Sequence, residues 1–463
     1  MKCEQRHLSP VVKFPPMTNL LAARLLMAIS LAFHIIFAVV GIALPLMMVI
    51  AEGIWLKRKD PVYLELAKRW ARGMVVFFAV GAVSGTVLSI QLGLLWPQFM
   101  AFAGPLIGLP FSMEGFAFFL EAIFLGLYIY GWDKISPRFH WFAGMMVAFS
   151  AVASAIFVVT VNAWMNSPAG FMAENGRLIK VNLVAAVFNP AALEQVIHMV
   201  IAAYQSVGFA VAGIHGALLL KNPRNLFHRA AFGIALAVGS IASVLEPASG
   251  DISAKHLARY QPVKFAAMEG QWETEKGAPL RIGGWPSAKE EKTFFAIEIS
   301  QGLSVLARLD PDAVVMGLKD VPPENRPPVA VVHLAFQIMV GAGMIMLLVG
   351  LIGIWRFVRK RELNIERWYL WLVVGASPLG LLALESGWVV TEVGRQPWII
   401  YNFMRTAEAV TPMPRLMVPL ILFSAVYVLL GVMVLMALRH QIRRSPEFPP
   451  GPGQSPNREA SRA

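Results

Sequence analysis

Hydrophobic residues occur in nine long runs along the chain, separated by shorter polar segments. A helix that crosses a bilayer needs about 20 mainly apolar residues, so each run predicts a transmembrane helix. The predicted spans are Leu25 to Ile50, Gly73 to Leu95, Phe111 to Tyr130, Trp141 to Trp164, Leu193 to Leu220, Ala230 to Leu245, Val329 to Phe357, Trp368 to Val390 and Leu416 to Leu438. The sixth is the shortest. The pattern predicts an all-α fold, a polytopic membrane helix bundle with nine transmembrane helices.

Composition supports a membrane protein and narrows the chemistry. Hydrophobic residues make up 57% of the 463 residues and charged residues only 15%, whereas soluble domains hold about half and a quarter. The single cysteine, Cys3, excludes an intramolecular disulfide and a cysteine-built metal site. A bound metal would therefore use His, Met or carboxylate ligands, which makes heme the natural candidate. The net charge of +12 does not indicate nucleic acid, because the positive residues lie in short loops.

Lysine and arginine predict the orientation of the spans, since cytoplasmic loops carry an excess of both. They cluster in the loops after spans one, three, five and seven. The short loops on the other side of the membrane, before the sixth span, hold only Arg177 and Lys180. This bias places the N-terminus outside and the C-terminus in the cytoplasm. The first run is long and is followed by Glu52 and a basic loop, so it is predicted to be a retained span and no cleaved leader is expected.

The spans divide the chain into five segments. We predict an N-terminal extracytoplasmic tail (1–24), six spans (25–245), a long extracytoplasmic loop (246–328), three further spans (329–438) and a cytoplasmic tail (439–463). Aromatic residues are interleaved with charged ones in the loop, which favours a folded and functional segment. The tail is rich in Pro, Ser and Arg and is predicted to be disordered.

Several ionisable side chains lie inside the predicted spans. Such groups are costly in lipid, so each one is a candidate functional residue. With the predicted topology all of the candidates fall toward the outer side. They are His34, Glu114, Glu121, His198, Glu385 and Glu392, together with Met339 as a possible metal ligand.

The glutamates form two pairs with the same spacing. Glu114 and Glu121 are seven residues apart, as are Glu385 and Glu392, and seven residues bring two side chains back to nearly one helical face. Such pairs suit a proton relay or ligands for an iron centre. Taken alone, each histidine could be a hydrogen-bonding core residue, Met339 core filler, and Glu392 a residue facing water. Their convergence on one leaflet favours function.

The sequence also resembles a known family. The stretches that carry the resemblance are Gly387-Trp388, Glu392 and Gly394-Arg395-Gln396-Pro397-Trp398; Met113 to Glu121 followed by Gly131-Trp132-Asp133; and Asn162 to Pro168. Together they resemble subunit I of the cytochrome bd-type quinol oxidases, and the matches run in order from about Arg24 to Trp398.

The resemblance implies three hemes and assigns residues to them. His198 and Met339 correspond to the two axial ligands of a low-spin heme b. Because both axial positions of such a heme are filled, it suits electron transfer rather than oxygen binding. His34 and Glu385 match the ligands of a high-spin pair, a second heme b and a heme d, and which serves which is left open. Glu114 and Glu121 correspond to carboxylates associated with ligation or proton delivery. Arg395 would help to hold negative charge on heme propionates or adjacent carboxylates.

The segment from Lys264 to Glu273 resembles the quinol-binding Q-loop, with Lys264 and Glu269 as its functional pair. Their spacing of five does not place them on one helical face, so this assignment depends on the resemblance alone. The loop lacks an insert, and Gln337 stands where the long-loop branch tends to have Arg. Both features resemble the short Q-loop, cyanide-insensitive branch, in which a third heme b can replace heme d.

The implied activity is quinol oxidation at the outer face of the bacterial inner membrane, with oxygen reduced to water and a proton gradient generated without pumping. The implied partners are subunit II, with a small single-helix subunit as a further possibility, and membrane lipid. One alternative is a heme-free proton-coupled transporter, but no inverted pair of Gly/Pro-broken helices is found. Another is a heme b electron carrier, which would leave His34 and Glu385 unexplained.

Overall fold

The structure is a computed structural model that describes residues 18–174, 177–360, 366–444, 446 and 448. Cys3 lies outside the described residues. Within them, nine helical stretches are long and apolar enough to cross a membrane, which confirms the predicted number. Eight are single helices, namely α1 (Asn19–Arg58), α2 (Pro61–Leu95), α3 (Pro97–Tyr130), α4 (Pro137–Asn166), α6 (Ala192–Lys221), α7 (Leu226–Tyr260), α10 (Val329–Lys360) and α14 (Met417–Arg443). The eighth stretch in chain order consists of α11 (Arg367–Ala376) and α12 (Leu379–Val393).

Short elements connect the spans. The short helices are α5 (Leu183–Val187), α8 (Pro262–Glu269), α9 (Gly302–Arg308) and α13 (Thr406–Ala409), with 3-10 turns at Leu318–Asp320 and Pro323–Asn325. The antiparallel strand pairs are β1 (Phe171–Glu174) with β2 (Arg177–Val181), β3 (Glu275–Lys276) with β8 (Val314–Val315), β4 (Leu280–Ile282) with β7 (Ile297–Ile299), β5 (Trp285–Ser287) with β6 (Lys292–Phe294), and β9 (Trp398–Ile400) with β10 (Met404–Arg405). We call the end of the bundle that carries residues 261–328 the loop end.

Capping side chains fix where several helices begin. The Asp60 carboxylate accepts the N–H of Val62 at the start of α2 (2.9 Å), and the Ser136 hydroxyl accepts the N–H of Phe139 at the start of α4 (3.4 Å). A proline occupies the first turn of both helices, where its missing N–H leaves no donor unsatisfied. These polar caps lie outside the apolar runs, so the helices extend beyond the predicted spans.

The sixth span differs most from its prediction. The sequence predicts Ala230 to Leu245, whereas α7 runs from Leu226 to Tyr260 and continues through Pro247. Its second half is polar because it packs against other protein elements at the loop end rather than against lipid alone. The long loop therefore begins at Gln261, and the residues from 246 to 260 belong to the helix.

Helices α6 and α7 pack closely along their length. A Cβ on Gly208 of α6 would lie 2.6 Å from the Cα of Gly239 on α7, so the two backbones approach as near as only glycine permits. Phe209 is fully buried beside this contact, and Phe232 is fully buried beside Gly216 further along α6. The close pairing brings the loop-end half of α7 next to the start of α6, where His198 lies.

The long loop is folded. Phe265 and Trp272 are buried in its core, whereas Phe295 and Trp285 are exposed. Helix α8 packs on both α7 and α10. The prediction of a folded loop rich in aromatic residues agrees with this structure, although only some of the aromatic side chains form the core.

Two residues that follow α14, Pro446 and Phe448, contact the bundle. Helix α14 ends at Arg443, five residues beyond the predicted Leu438. The Phe448 carbonyl accepts the N–H of Leu226 (3.1 Å), and the Pro446 carbonyl accepts from the Asn225 amide (3.2 Å). Both contacts cap the start of α7. The rest of the tail predicted to be disordered lies outside the described residues.

Candidate functional site

His198 is held in one orientation by α7. Its Nδ1 lies 2.9 Å from the hydroxyl oxygen of Ser249 and 3.3 Å from a carboxylate oxygen of Glu246. The Ser249 hydroxyl donates its proton to the Glu246 carbonyl (2.9 Å), so its oxygen accepts from the histidine. Nδ1 then carries the ring proton, and Nε2 keeps the lone pair that a metal requires. Metal-ligating histidines are ordinarily fixed in this way by their other nitrogen.

Met339 lies between α10 and α12. A Cβ on Gly387 of α12 would come 3.0 Å from the Met339 sulfur, so the absence of a side chain at Gly387 makes room for the thioether. Helix α12 also packs against α6. The elements that carry His198 and Met339 thus share α12 as a neighbour, and a small residue keeps the space beside the sulfur open.

His34 repeats the arrangement at His198. Its Nδ1 lies 2.9 Å from the Ser84 hydroxyl oxygen, and that hydroxyl donates to the Val80 carbonyl (2.8 Å). The serine must therefore accept from Nδ1, which leaves Nε2 with its lone pair. A Cβ on Gly85 would come 3.0 Å from the imidazole ring. Two histidines on different helices thus each have Nδ1 bound to a serine and an Nε2 lone pair that remains available.

The membrane glutamates have different surroundings. Glu114 accepts a hydrogen bond from Ser154 (3.3 Å), and Glu121 is buried on the same helix. Glu385 has a buried carboxylate oxygen with no hydrogen-bond partner among the described residues. Such an oxygen needs a proton, a metal or another cation, so Glu385 fits a ligand to a bound group.

The buried Arg395 forms an ion pair with the partly exposed Glu392. Arg395 is 2% exposed, and its Nη2 lies 2.5 Å from Glu392, which also accepts from Asn162. The Glu392 side chain is 32% exposed, so it faces water in part while it also binds Arg395 and Asn162. The Nε and Nη1 of Arg395 have no partner within the part of the chain that the structure describes. Two unused donors on a buried guanidinium suit an anionic group such as a heme propionate.

Lys264 and Glu269 are both buried on α8 but contact different elements. Lys264 donates to the side chain of Asn166 (2.5 Å) and to the Thr391 carbonyl (3.3 Å). Both carboxylate oxygens of Glu269 lack hydrogen-bond partners among the described residues. The two side chains do not lie on one helical face, which agrees with their spacing of five residues.

Burial moves the pKa of both groups toward neutrality. It lowers the pKa of Lys264 to about 7; nearby Arg395 adds to the shift, whereas Glu392 and Glu194 oppose it. Burial raises the pKa of Glu269 to about 8, and the charge of Arg281 opposes the shift. Both side chains can therefore exchange protons near neutral pH, as general acids and bases must.

A cavity of about 330 Å³ lies where α8 begins and α12 ends. Its lining includes Tyr260, Pro262, Gly394, Arg395 and Trp398. It combines aromatic rings with a buried cation. This part of the loop end therefore offers room for a planar organic group beside polar side chains.

Sequence reasoning missed a buried pair at the opposite end of the bundle. Glu52 and His140 are almost fully buried, with His140 Nδ1 2.8 Å from the Glu52 carboxylate and Nε2 2.8 Å from the Tyr128 carbonyl. In the sequence, Glu52 stands out only as a polar residue that follows the first apolar run. Tyr128 lies seven residues after Glu121, and that spacing was the one available signal that the polar face of α3 continues to this end.

Comparison with known proteins identifies the family. Residues 22–446 match the family model for cytochrome bd terminal oxidase subunit I. The chain belongs to this family. It is similar to the bd oxidase of Geobacillus thermodenitrificans, with 39% identity and a TM-score of 0.87 over 92% of this chain and 99% of that one.

Two further relatives belong to the cytochrome bd oxidases. The cytochrome bd ubiquinol oxidase subunit 1 of Bacillus subtilis (strain 168) is 33% identical over 93% of this chain and 95% of the relative. The cytochrome bd-II ubiquinol oxidase subunit 1 of Escherichia coli (strain K12) is 29% identical over 82% and 88%. The predicted family is confirmed. The chain is a multi-pass subunit of a heme-containing bacterial terminal oxidase, and as subunit I it implies a second subunit.

Proposed function

We propose that this subunit oxidises quinol at the loop end and houses the site at which oxygen is reduced to water. The observation that carries the proposal is the matched pair of histidines. Each has its Nδ1 fixed by a serine that already donates elsewhere, so each presents Nε2 as a ligand. A heme-free transporter has no need of two such ligands.

Three hemes would be held by the residues described above. His198 and Met339 would hold a low-spin heme b. His34 and Glu385 would serve a high-spin heme b and a heme d, or a third heme b in its place. When bound, the hemes supply the electron carriers and the iron that binds oxygen. Arg395 would direct its two unused donors at a propionate.

The chain's own side chains would manage the protons. Glu269, with its pKa near 8, would accept a proton when a quinol O–H bond breaks. Lys264 would hold the quinol oxygen or the adjoining turn through its ammonium group. Glu114 and Glu121, on one face of α3, would pass protons toward the oxygen site.

The orientation follows from charge. Basic residues cluster at the end opposite the loop, which supports a cytoplasmic C-terminus and an outer quinol site. Quinol protons would then be released outside, and the protons that form water would be taken from the cytoplasm. This arrangement generates a proton gradient without pumping. The compact loop and Gln337 support the short Q-loop branch.

An absorption spectrum of the purified, dithionite-reduced oxidase tests the proposal together with oxygen uptake driven by quinol. We expect b-type heme bands and quinol-dependent uptake. A far-red band would assign heme d, and its absence a third heme b. A preparation that contains this chain but has neither heme bands nor uptake would contradict the proposal.

We expect the chain to require subunit II for activity. Large apolar side chains such as Phe116, Phe119 and Leu435 are exposed on α3 and α14, which provides surface for partner helices as well as for lipid. The chain should be expressed alone and with its genomic neighbours in a membrane host. Loss of the high-spin pair from the lone chain is the expected result, whereas full heme content and full turnover without a partner would contradict it.

A further inference from the structure

His333 makes two hydrogen bonds that join the Q-loop to α10. The side chain is fully buried in the first turns of α10. Its Nδ1 lies 2.8 Å from the Met268 carbonyl oxygen, and its Nε2 lies 3.0 Å from the Gly283 carbonyl oxygen. Met268 is in the last turn of α8, and Gly283 follows β4. One ring therefore links two separate parts of the loop to a membrane helix.

Both partners of His333 are acceptors. A neutral imidazole has a single N–H, so its other nitrogen would point a lone pair at a carbonyl oxygen. Only the imidazolium form donates to both. The Met268 carbonyl also belongs to the C-terminal turn of α8, where the helix dipole favours a positive charge. The geometry thus matches a buried cation that joins the two segments.

Gln337 adds a second link one helical turn further along α10. Its side-chain oxygen accepts the N–H of Gly283 (2.9 Å), and its amide nitrogen donates to the Arg281 carbonyl (3.1 Å). Unlike His333, this side chain is neutral. His333 and Gln337 therefore bind the carbonyl and the N–H of Gly283, and Gln337 also binds the Arg281 carbonyl. These bonds from α10 hold the turn after β4 in a fixed position relative to α8.

Glu269 follows Met268 directly. Its carboxylate is buried without hydrogen-bond partners among the described residues. Burial raises its pKa, and nearby positive charge opposes that shift. The charged groups around this junction are Glu269 and Lys264 on α8, Arg281 on β4, and Glu298 on β7, which forms an ion pair with Arg281 (2.9 Å). Thr293 of β6 and Gln337 of α10 are neutral. Arg281 is the one of these whose charge favours the ionised carboxylate.

We propose that His333 is a positioning residue of the quinol site, which as an imidazolium fixes the end of α8 against the turn after β4 and places positive charge at the turn of α8 that ends in Glu269. The inference rests on the proposed role of Glu269. It adds to Arg281 a second cation, bound to the backbone of the residue that precedes Glu269. When Glu269 is ionised, that cation offsets part of the cost of a buried negative charge.

The test is the pH profile of kcat/KM for quinol in the purified oxidase. If Glu269 acts as a base, kcat/KM rises with pH as its carboxyl ionises. His333→Gln keeps one donor but removes the charge, which raises the pKa of Glu269. The rising limb of this pH profile, the range in which kcat/KM increases with pH, should therefore move to higher pH by on the order of one unit. The heme spectra should stay unchanged. A limb that stays in place would overturn the inference.

Matched variants separate charge from structure. Gln337→Ala removes the neutral link and should lower turnover without moving the limb. His333→Lys keeps a cation and should leave the limb near its wild-type position. Glu269→Gln should abolish the limb. Normal turnover in Glu269→Gln would refute the proposed role of Glu269, whereas an inactive Glu269→Gln with an unmoved limb in His333→Gln would refute only the inference about His333.

A measurement that leaves His333 in place covers the case in which the His333 variants fail to assemble. Histidine labelled with nitrogen-15 in the ring allows solid-state NMR to distinguish imidazolium from neutral rings. The ring of His140 also faces two acceptors, so the spectrum is recorded on His140→Gln. At about pH 8, where exposed histidines are neutral, an imidazolium signal is expected from this variant, and its absence would overturn the inference.

Discussion

Met339→Leu is expected to remove the low-spin heme b signal and largely spare the high-spin pair. Leucine retains most of the volume between α10 and α12 but has no sulfur lone pair to donate. Turnover with quinol should fall at least about tenfold, because loss of outer-shell partners alone costs roughly 10–100-fold at metal sites. Redox-titrated absorption spectra and oxygen uptake measure both effects.

Met344→Leu is the matched control for this substitution. Met344 lies on the same helix but is exposed on the surface of the bundle, so its replacement should leave spectrum and turnover close to wild type. A normal low-spin spectrum and midpoint potential in Met339→Leu would contradict the assignment of Met339 as a ligand. It would also require another explanation for the space at Gly387.

Glu269→Gln is expected to lower kcat for quinol about 100-fold, a typical contribution of a general acid or base. Glutamine keeps the volume of the side chain but cannot take up the quinol proton. Lys264→Met should also depress turnover, since it removes the donor to Asn166 and Thr391. Heme content should stay intact in both variants, because α8 lies outside the helices that carry the heme ligands.

Exposed residues of the same loop provide controls for charge alone. Glu273 and Lys276 each form an exposed ion pair, with Lys319 and Asp312, and such pairs contribute little to stability. Glu273→Gln and Lys276→Met should therefore leave turnover near wild type. If Glu269→Gln and Lys264→Met also turn over quinol at the wild-type rate, the quinol site lies elsewhere in the loop.

The hydrophobic pattern predicted the number and order of the spans but not their full lengths. In α7, the residues after Leu245 include Glu246, Ser249 and His256, which make polar contacts with neighbouring protein elements. Hydropathy records the preference of a residue for lipid. It cannot detect a helix that continues where protein, rather than lipid, surrounds it.

The candidate ligands could be found from the sequence because ionisable groups are costly in a membrane. The residues that orient them could not. Ser84 and Ser249 are ordinary helix residues until the neighbouring helix brings a histidine to them. Glu52 has the same limitation, because its partner His140 is 88 residues away in the chain. Tertiary pairing alone gives these side chains their roles.

Pro446 and Phe448 define how much of the C-terminal segment a shortened protein should keep. The N–H groups in the first turn of a helix have no partner inside the helix, and the Phe448 carbonyl satisfies that of Leu226. An affinity tag or fluorescent fusion attached beyond residue 448 preserves this contact. Truncation at Arg444 would remove it together with the contact between Pro446 and Asn225.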